Sequence, residues 1–239
     1  MIVILALSGI AVGMVYCFAW LNPPKDSIAE LNYPSEFFCD SGENRIDFQS
    51  DDNCAAYAAA YVLRSLDDQT DCEELAPEIK RLFGFVPAQS IVRVFEKHGF
   101  SARAYHGDTD TLKQRLTGGV PVIVFISVPN DTHYAVAVGY DTQYFYLVAS
   151  LPENKNAEEP QYNRRLTTEE FEKIWRTDTI LSDNVYIVSD IDKKDFNAML
   201  HDRGRGLMVA DSETGAYTVT VEARHAGEKL SVRTKENFK

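Results

Sequence analysis

Residues 120–128 read VPVIVFISV, an unbroken apolar run that follows the Gly118–Gly119 pair. A run of this kind is a strand buried on both faces, so something must cover it above and below. The residues after it supply strands to pair with. THYAVAVGYD and YFYLVASL, separated at Asp141, Thr142 and Gln143, read as a hairpin. FSARAYHG (100–107) and NVYIVSDI (184–191) are two further strands.

The covering layers come mostly from residues nearer the N-terminus. An alanine-rich helix is predicted from about Asn53 to Leu66, with Asp52 or Asn53 as its cap. A second is predicted over CEELAPEIKRLFG (72–84), stopped at Gly84. A third begins at Pro87, presents Ile91, Val92 and Phe95 on one face and stops at Gly99. DTDTLKQRLTGG (108–119) is a capped helix. LTTEEFEKIW (166–175) carries a Thr-x-x-Glu capping box from Thr167 to Glu170. Helices first and an antiparallel sheet after them define an α+β domain. The expected divisions are a membrane anchor or signal peptide at 1–22, a polar linker and lead-in loop at 23–45, the main domain at 46–191, and an extension at 192–239. The strand GAYTVTVEA in that extension either lengthens the sheet or forms a small annex.

Met1–Leu21 carries no charged side chain, which is long enough to span a bilayer as a helix. Trp20 stands at its end, before Pro23 and Pro24. The expected arrangement is a single-pass membrane protein with an extracytoplasmic domain. The alternative is a secreted chain whose signal peptide is cleaved, although no basic stretch precedes the apolar one. A net charge of −12 leaves no basic stripe for nucleic acid. No GxGxxG, GxxxxGK[ST], CxxC or HExxH pattern is present, so neither cofactor nor metal is expected. Composition leaves the oligomeric state open. Three cysteines follow the apolar segment, and a Cys39–Cys72 bridge would leave Cys54 free.

Cys54 falls where the alanine-rich helix starts. Unpaired N–H groups and the positive end of the dipole favour a thiolate there. Asp51 and Asp52 oppose this, so a positive partner is needed, and an imidazolium is the usual one. Of the five histidines, His133 opens a strand directly after the most buried one. Gln49, shortly before the cysteine, offers an amide for an oxyanion, beside a backbone N–H at Cys54.

The stretch Gln49–Leu66, THYAVAVGYD, YFYLVAS and LTTEEFEKIW together resemble the papain-like peptidase C39 family and its stand-alone relatives, over roughly Arg45 to Asp190. Members process double-glycine leader peptides of bacteriocins, often as a domain of an exporter. Nothing in this chain resembles the exporter's ATPase or its membrane domain. The resemblance implies a papain-like fold and a peptide or protein substrate. It implies Cys54 as nucleophile, His133 as general base and Gln49 as oxyanion donor. Family members space the glutamine one residue further away and follow the cysteine with glycine, where this chain has Ala55. They also carry an aspartate after the second hairpin strand. Here that neighbourhood is Ala149, Ser150, Leu151 and Pro152. The third member is therefore Asn154, Ser150 or absent. Two alternatives to hydrolysis follow: a catalytically impaired peptide-binding module, and an amide or acyl transferase on the same fold.

Overall fold

The computed structural model describes residues 21–39, 44–66, 68–82, 84–177 and 183–190, and the strands 207–210, 217–222 and 229–234. The expected membrane segment lies outside them except at its last two residues. Among the described residues no helix is long and apolar enough to cross a membrane. The chain divides into two compact units, Met1–Asp190 and Ile191–Lys239.

The first unit begins with a strap. Pro24 and Asp26 exchange backbone hydrogen bonds with His106, and Asp26 is buried against Arg115 and Tyr186. Strand β1 (Phe37–Phe38) then pairs with Tyr140 and Gly139. A Cβ at Gly139 would stand 2.7 Å from the Phe37 carbonyl oxygen, so this crossing needs glycine. The segment expected to be linker and lead-in loop is thus part of the folded body.

Helix α1 (Cys54–Ser65) follows the loop that carries Gln49. Its alanines are almost wholly buried, and their small size lets the backbone lie close to the sheet. Helix α2 is a single turn (Cys72–Leu75) that passes into a 3-10 turn over Ala76–Glu78. The helix expected across 72–84 stops because Pro77 has no N–H to donate and its ring blocks the preceding turn. Helix α3 (Ala88–Lys97) starts after Pro87. Strand β2 (Ser101–His106) and helix α4 (Thr109–Leu116) come next, the helix with an Asp108–Thr111 capping box. Then follow β3 (Val122–Val128), β4 (Asp131–Tyr140), β5 (Tyr144–Val148), β6 (Arg164–Thr167), α5 (Thr168–Trp175) and β7 (Val185–Asp190).

The antiparallel sheet runs β2-β7-β3-β4-β5-β6, with β1 added beside β4. One face packs Val124, Ile126, Ala135 and Leu147 against Leu112, Leu116, Phe171 and Trp175 of α4 and α5. Residues of α1 cover the other face, where Tyr57, Ala58 and Tyr61 meet Tyr134, Val136 and Val148. Near the hairpin turn Tyr140 pairs with Phe145. A bulge between Ala137 and Gly139 then shifts the register, so that Val136 pairs with Val148. Continued to the strand end, this register sets His133 across from Leu151. In the second unit, β8 (Leu207–Ala210), β9 (Tyr217–Glu222) and β10 (Lys229–Thr234) form an antiparallel sheet in the order β10-β9-β8.

Candidate active site

Cys54 is the first residue of α1 and is half-buried. The backbone N–H groups of Ala55 and Tyr134 both act on its Sγ to favour the thiolate. The first is an orphan donor of the helix start. The second belongs to β4, directly after His133, so helix start and strand start adjoin at the sulfur. His133 itself is 2% exposed, and its Cα partner in β3 is Ile126. Alternation places its ring on the face of Ala135, while Tyr134 faces α1. Among the described contacts, no hydrogen bond joins Sγ to the His133 ring.

The electrostatics differ from the expected thiolate–imidazolium pair. Burial pushes the Cys54 thiol up; the Tyr134 and Ala55 N–H groups and the Arg81 charge offset this only in part. Burial also pushes the His133 imidazole down to about 4, and the nearby Arg164 charge adds to the fall. Asp131 opposes it, and the same carboxylate raises the thiol. At neutral pH the resting pair is therefore an uncharged thiol and an uncharged imidazole. Desolvation, which a sequence does not display, outweighs the helix dipole here.

Gln49 is fixed at two points. Its backbone N–H donates to the Ser150 carbonyl at 2.9 Å, and its Oε1 accepts from the Ser150 hydroxyl at 2.7 Å. That contact turns the amide's NH2 end away from Ser150. The Ser150 hydroxyl therefore spends its proton on Gln49, and no described hydrogen bond links it to the His133 ring. Asn154 ends a 3-10 turn over Pro152–Asn154, and its Nδ2 is buried without a partner. No described hydrogen bond links it to His133, whose Nε2 is likewise buried and unpaired. Ala149, on the His133 face by register, exchanges two hydrogen bonds with the buried Asn163 side chain, at 2.8 and 2.7 Å.

Two cations escaped the sequence reading. Arg81 reaches the start of α1, bonding the Asp52 carbonyl and, at 3.1 Å, Asn53 Oδ1. Arg164 lies near His133 from β6. Neither stands in a motif, and a lone arginine in a sequence gives no signal of what it approaches.

Cys39, Cys54 and Cys72 are all free thiols, so the Cys39–Cys72 bridge does not form. The Cys39 thiol lies against the Leu116 carbonyl of α4, whereas Cys72 hydrogen-bonds Tyr57 of α1. Cys72 also converges with Asp47 and Asp71. Arg64 pairs with Asp47 at 3.0 Å and Arg45 bridges both carboxylates, which neutralises the group without a metal. A cavity of about 400 Å³ lies between the loop before Gln49 and the 155–163 loop, lined by Arg45, Phe48, Lys155, Glu158 and Asn163 among others.

The profile of the peptidase C39 family matches residues 44–184, well over half of the chain, and spans Gln49, Cys54 and His133. The chain belongs to the peptidase C39 family. Its first unit is a cysteine peptidase domain with the papain-like mixture of helices and antiparallel sheet. Among solved structures, this C39 domain is similar to a C39-like peptidase from Bacillus anthracis (TM-score 0.51, 16% identity, covering 64% of this chain and 96% of that one). It is also similar to the peptidase domain of Streptococcus ComA, a bifunctional ABC transporter involved in quorum sensing (TM-score 0.48, 19% identity, 61% and 96%). A third is a double-glycine-motif protease from an AMS/PCAT transporter in complex with the leader peptide (TM-score 0.47, 16%, 70% and 96%). A search of curated proteins gave no match.

Proposed function

We propose that this C39 protein is a membrane-tethered cysteine peptidase that hydrolyses peptide bonds with Cys54 as nucleophile and His133 as general base. The observation that supports this most is the position of Cys54 as the first residue of α1, with the Tyr134 backbone, next to His133, acting on its sulfur. Because the resting pair is neutral, proton transfer accompanies attack. His133 takes the thiol proton as sulfur adds to the carbonyl carbon, then returns it to the leaving amine. The oxyanion is met by the free end of the Gln49 amide and the Cys54 N–H. Water then attacks the thioester and releases the acid. Ser150 keeps the Gln49 amide in one orientation through its 2.7 Å bond. The uncharged stretch Met1–Leu21 would hold the domain at a membrane.

Incubation with a diverse peptide mixture, read by mass spectrometry, tests the reaction. New termini appear with the wild type and vanish with Cys54→Ala, whose circular dichroism is unchanged. Undiminished cleavage by Cys54→Ala contradicts the assignment. A second reading, a peptide-binding module without turnover, rests on the absence of a carboxylate bonded to the His133 ring among the described residues. It predicts saturable peptide binding with no new termini.

A further inference from the structure

Asn53 stands at the cap position of α1, yet its side chain caps nothing. An asparagine there ordinarily accepts from the second or third N–H of the helix. Asp108 before α4 and Thr167 before α5 each accept from the third. At Asn53 the backbone is not extended, with φ −105° and ψ 28°, and Oδ1 accepts instead from Arg81 Nη2 at 3.1 Å. The same nitrogen donates to the Asp52 carbonyl. The Ala56 N–H is already taken by the Asn53 carbonyl at 2.8 Å, whereas the Ala55 N–H acts on the Cys54 sulfur.

Arg81 is held where it can do this by a tight turn. Leu82 and Phe85 exchange backbone hydrogen bonds at 2.8 and 3.1 Å, and Gly84 between them has a φ of +91°, which suits glycine. Directly after the turn, the Val86 carbonyl accepts from the Tyr134 hydroxyl at 2.9 Å. Tyr134 is buried in β4, next to His133. Arg81 thus bonds the loop ahead of Cys54, and Val86, five residues on, bonds the residue after His133. The charges acting on the sulfur are Arg81, which favours a thiolate, and Asp131, which opposes it; Asp51 and Asp52 lie exposed in the loop before α1.

We infer that Arg81 is a positioning residue of this active site: by holding the Asp52 carbonyl and the Asn53 side chain, it keeps the Ala55 N–H for the Cys54 sulfur. The inference rests on the peptidase reading above. Arg81 acts through Asn53 rather than on the reacting atoms. An Asn53 released from Arg81 turns back over the helix start, and the donor left for it to take is the Ala55 N–H. The helix then gains a cap and the nucleophile loses a donor. Stability and catalysis pull in opposite directions at this one side chain.

Iodoacetamide alkylation of Cys54 in the full-length chain, followed by peptide mapping between about pH 6 and 10, tests this together with cleavage kinetics. In Arg81→Gln the alkylation profile moves to higher pH, and the rate at pH 7 falls about threefold or more. The kcat for peptide cleavage falls about tenfold while KM holds. Adding Asn53→Ala to Arg81→Gln removes the released cap and returns part of both losses. Arg81→Lys keeps the charge and a donor, so its profile and kcat lie between; it carries the test if Arg81→Gln does not fold. An arginine with a merely structural part would lower the melting temperature and leave profile and kcat unchanged, which overturns the inference. A double variant as slow as Arg81→Gln alone overturns it too. A chain that cleaves nothing, yet shows the alkylation changes, defeats the peptidase reading and leaves the part of Arg81 standing. An active chain whose profile and kcat ignore Arg81 defeats the inference alone.

Discussion

His133 is where burial and chemistry meet. The ring is 2% exposed and titrates near 4, below the ordinary imidazole value of 6.5. The native state therefore refuses a proton that the unfolded chain accepts. Stability from this group is complete above about pH 6.5, falls as pH drops through that window, and is gone below about 4. A fall from 6.5 to about 4 corresponds to about 3 kcal/mol. Denaturant unfolding between pH 7 and 4 should show the wild type losing about that much more stability than His133→Gln. Parallel losses would mean that the ring is solvated. Cys54 stands out in the sequence because it opens a helix, and His133 because it lies near the start of a strand, where β4 in fact begins two residues earlier at Asp131. That both are uncharged at rest was not legible, since burial is a property of the packed chain. The expected ion pair failed for that reason.

At the scale of elements, hairpin and helices were readable where period and caps are local. The Asp141–Gln143 turn, the Thr167–Glu170 box and the apolar run of β3 are examples. Even the alignment of His133 with Leu151 was legible, because the bulge after Ala137 cancels the one-residue shift made at the turn. What escaped depends on distant partners. Phe37–Phe38 is a strand only through Tyr140 and Gly139, and RRLT at 164–167 carries two charges that mask β6. The helix over 72–84 was expected by composition, against the proline inside it. Gly139 marks the tightest of these joints. A methyl group there meets the Phe37 carbonyl, so Gly139→Ala should cost about 1–3 kcal/mol and detach β1. The check is a lower melting temperature, with faster amide exchange at Phe37 and Phe38. Unchanged stability and protection would show that the strap does not depend on this contact.

Across the whole first unit, the strap at 22–39 ties the N-terminal side of the chain to the sheet. Asp26 is its buried anchor, with Arg115 Nε and Nη2 both at 2.8 Å and the Tyr186 hydroxyl on the same carboxylate. Burial pushes the Asp26 carboxyl up, but these hydrogen bonds outweigh it and hold the group below its ordinary value of 3.8. Its support is present above that pH and is lost as pH falls below it. Asp26→Asn leaves Arg115 without its anion and should cost about 3 kcal/mol at pH 7, measured by chemical denaturation. A loss under about 0.5 kcal/mol would make the strap an ornament of the fold. By composition this segment was a linker; only its long-range partners reveal it as structure.

All of this depends on one sulfur and one imidazole acting together. The direct measurement is covalent capture by a peptidyl acyloxymethyl ketone at neutral pH, with intact-mass readout and mapping of the labelled residue. The account predicts stoichiometric labelling at Cys54 in the wild type and at least a hundredfold slower labelling in His133→Ala, while iodoacetamide alkylates Cys54 at similar rates in both. Equal capture in the two proteins, or capture at Cys39 or Cys72, would contradict it.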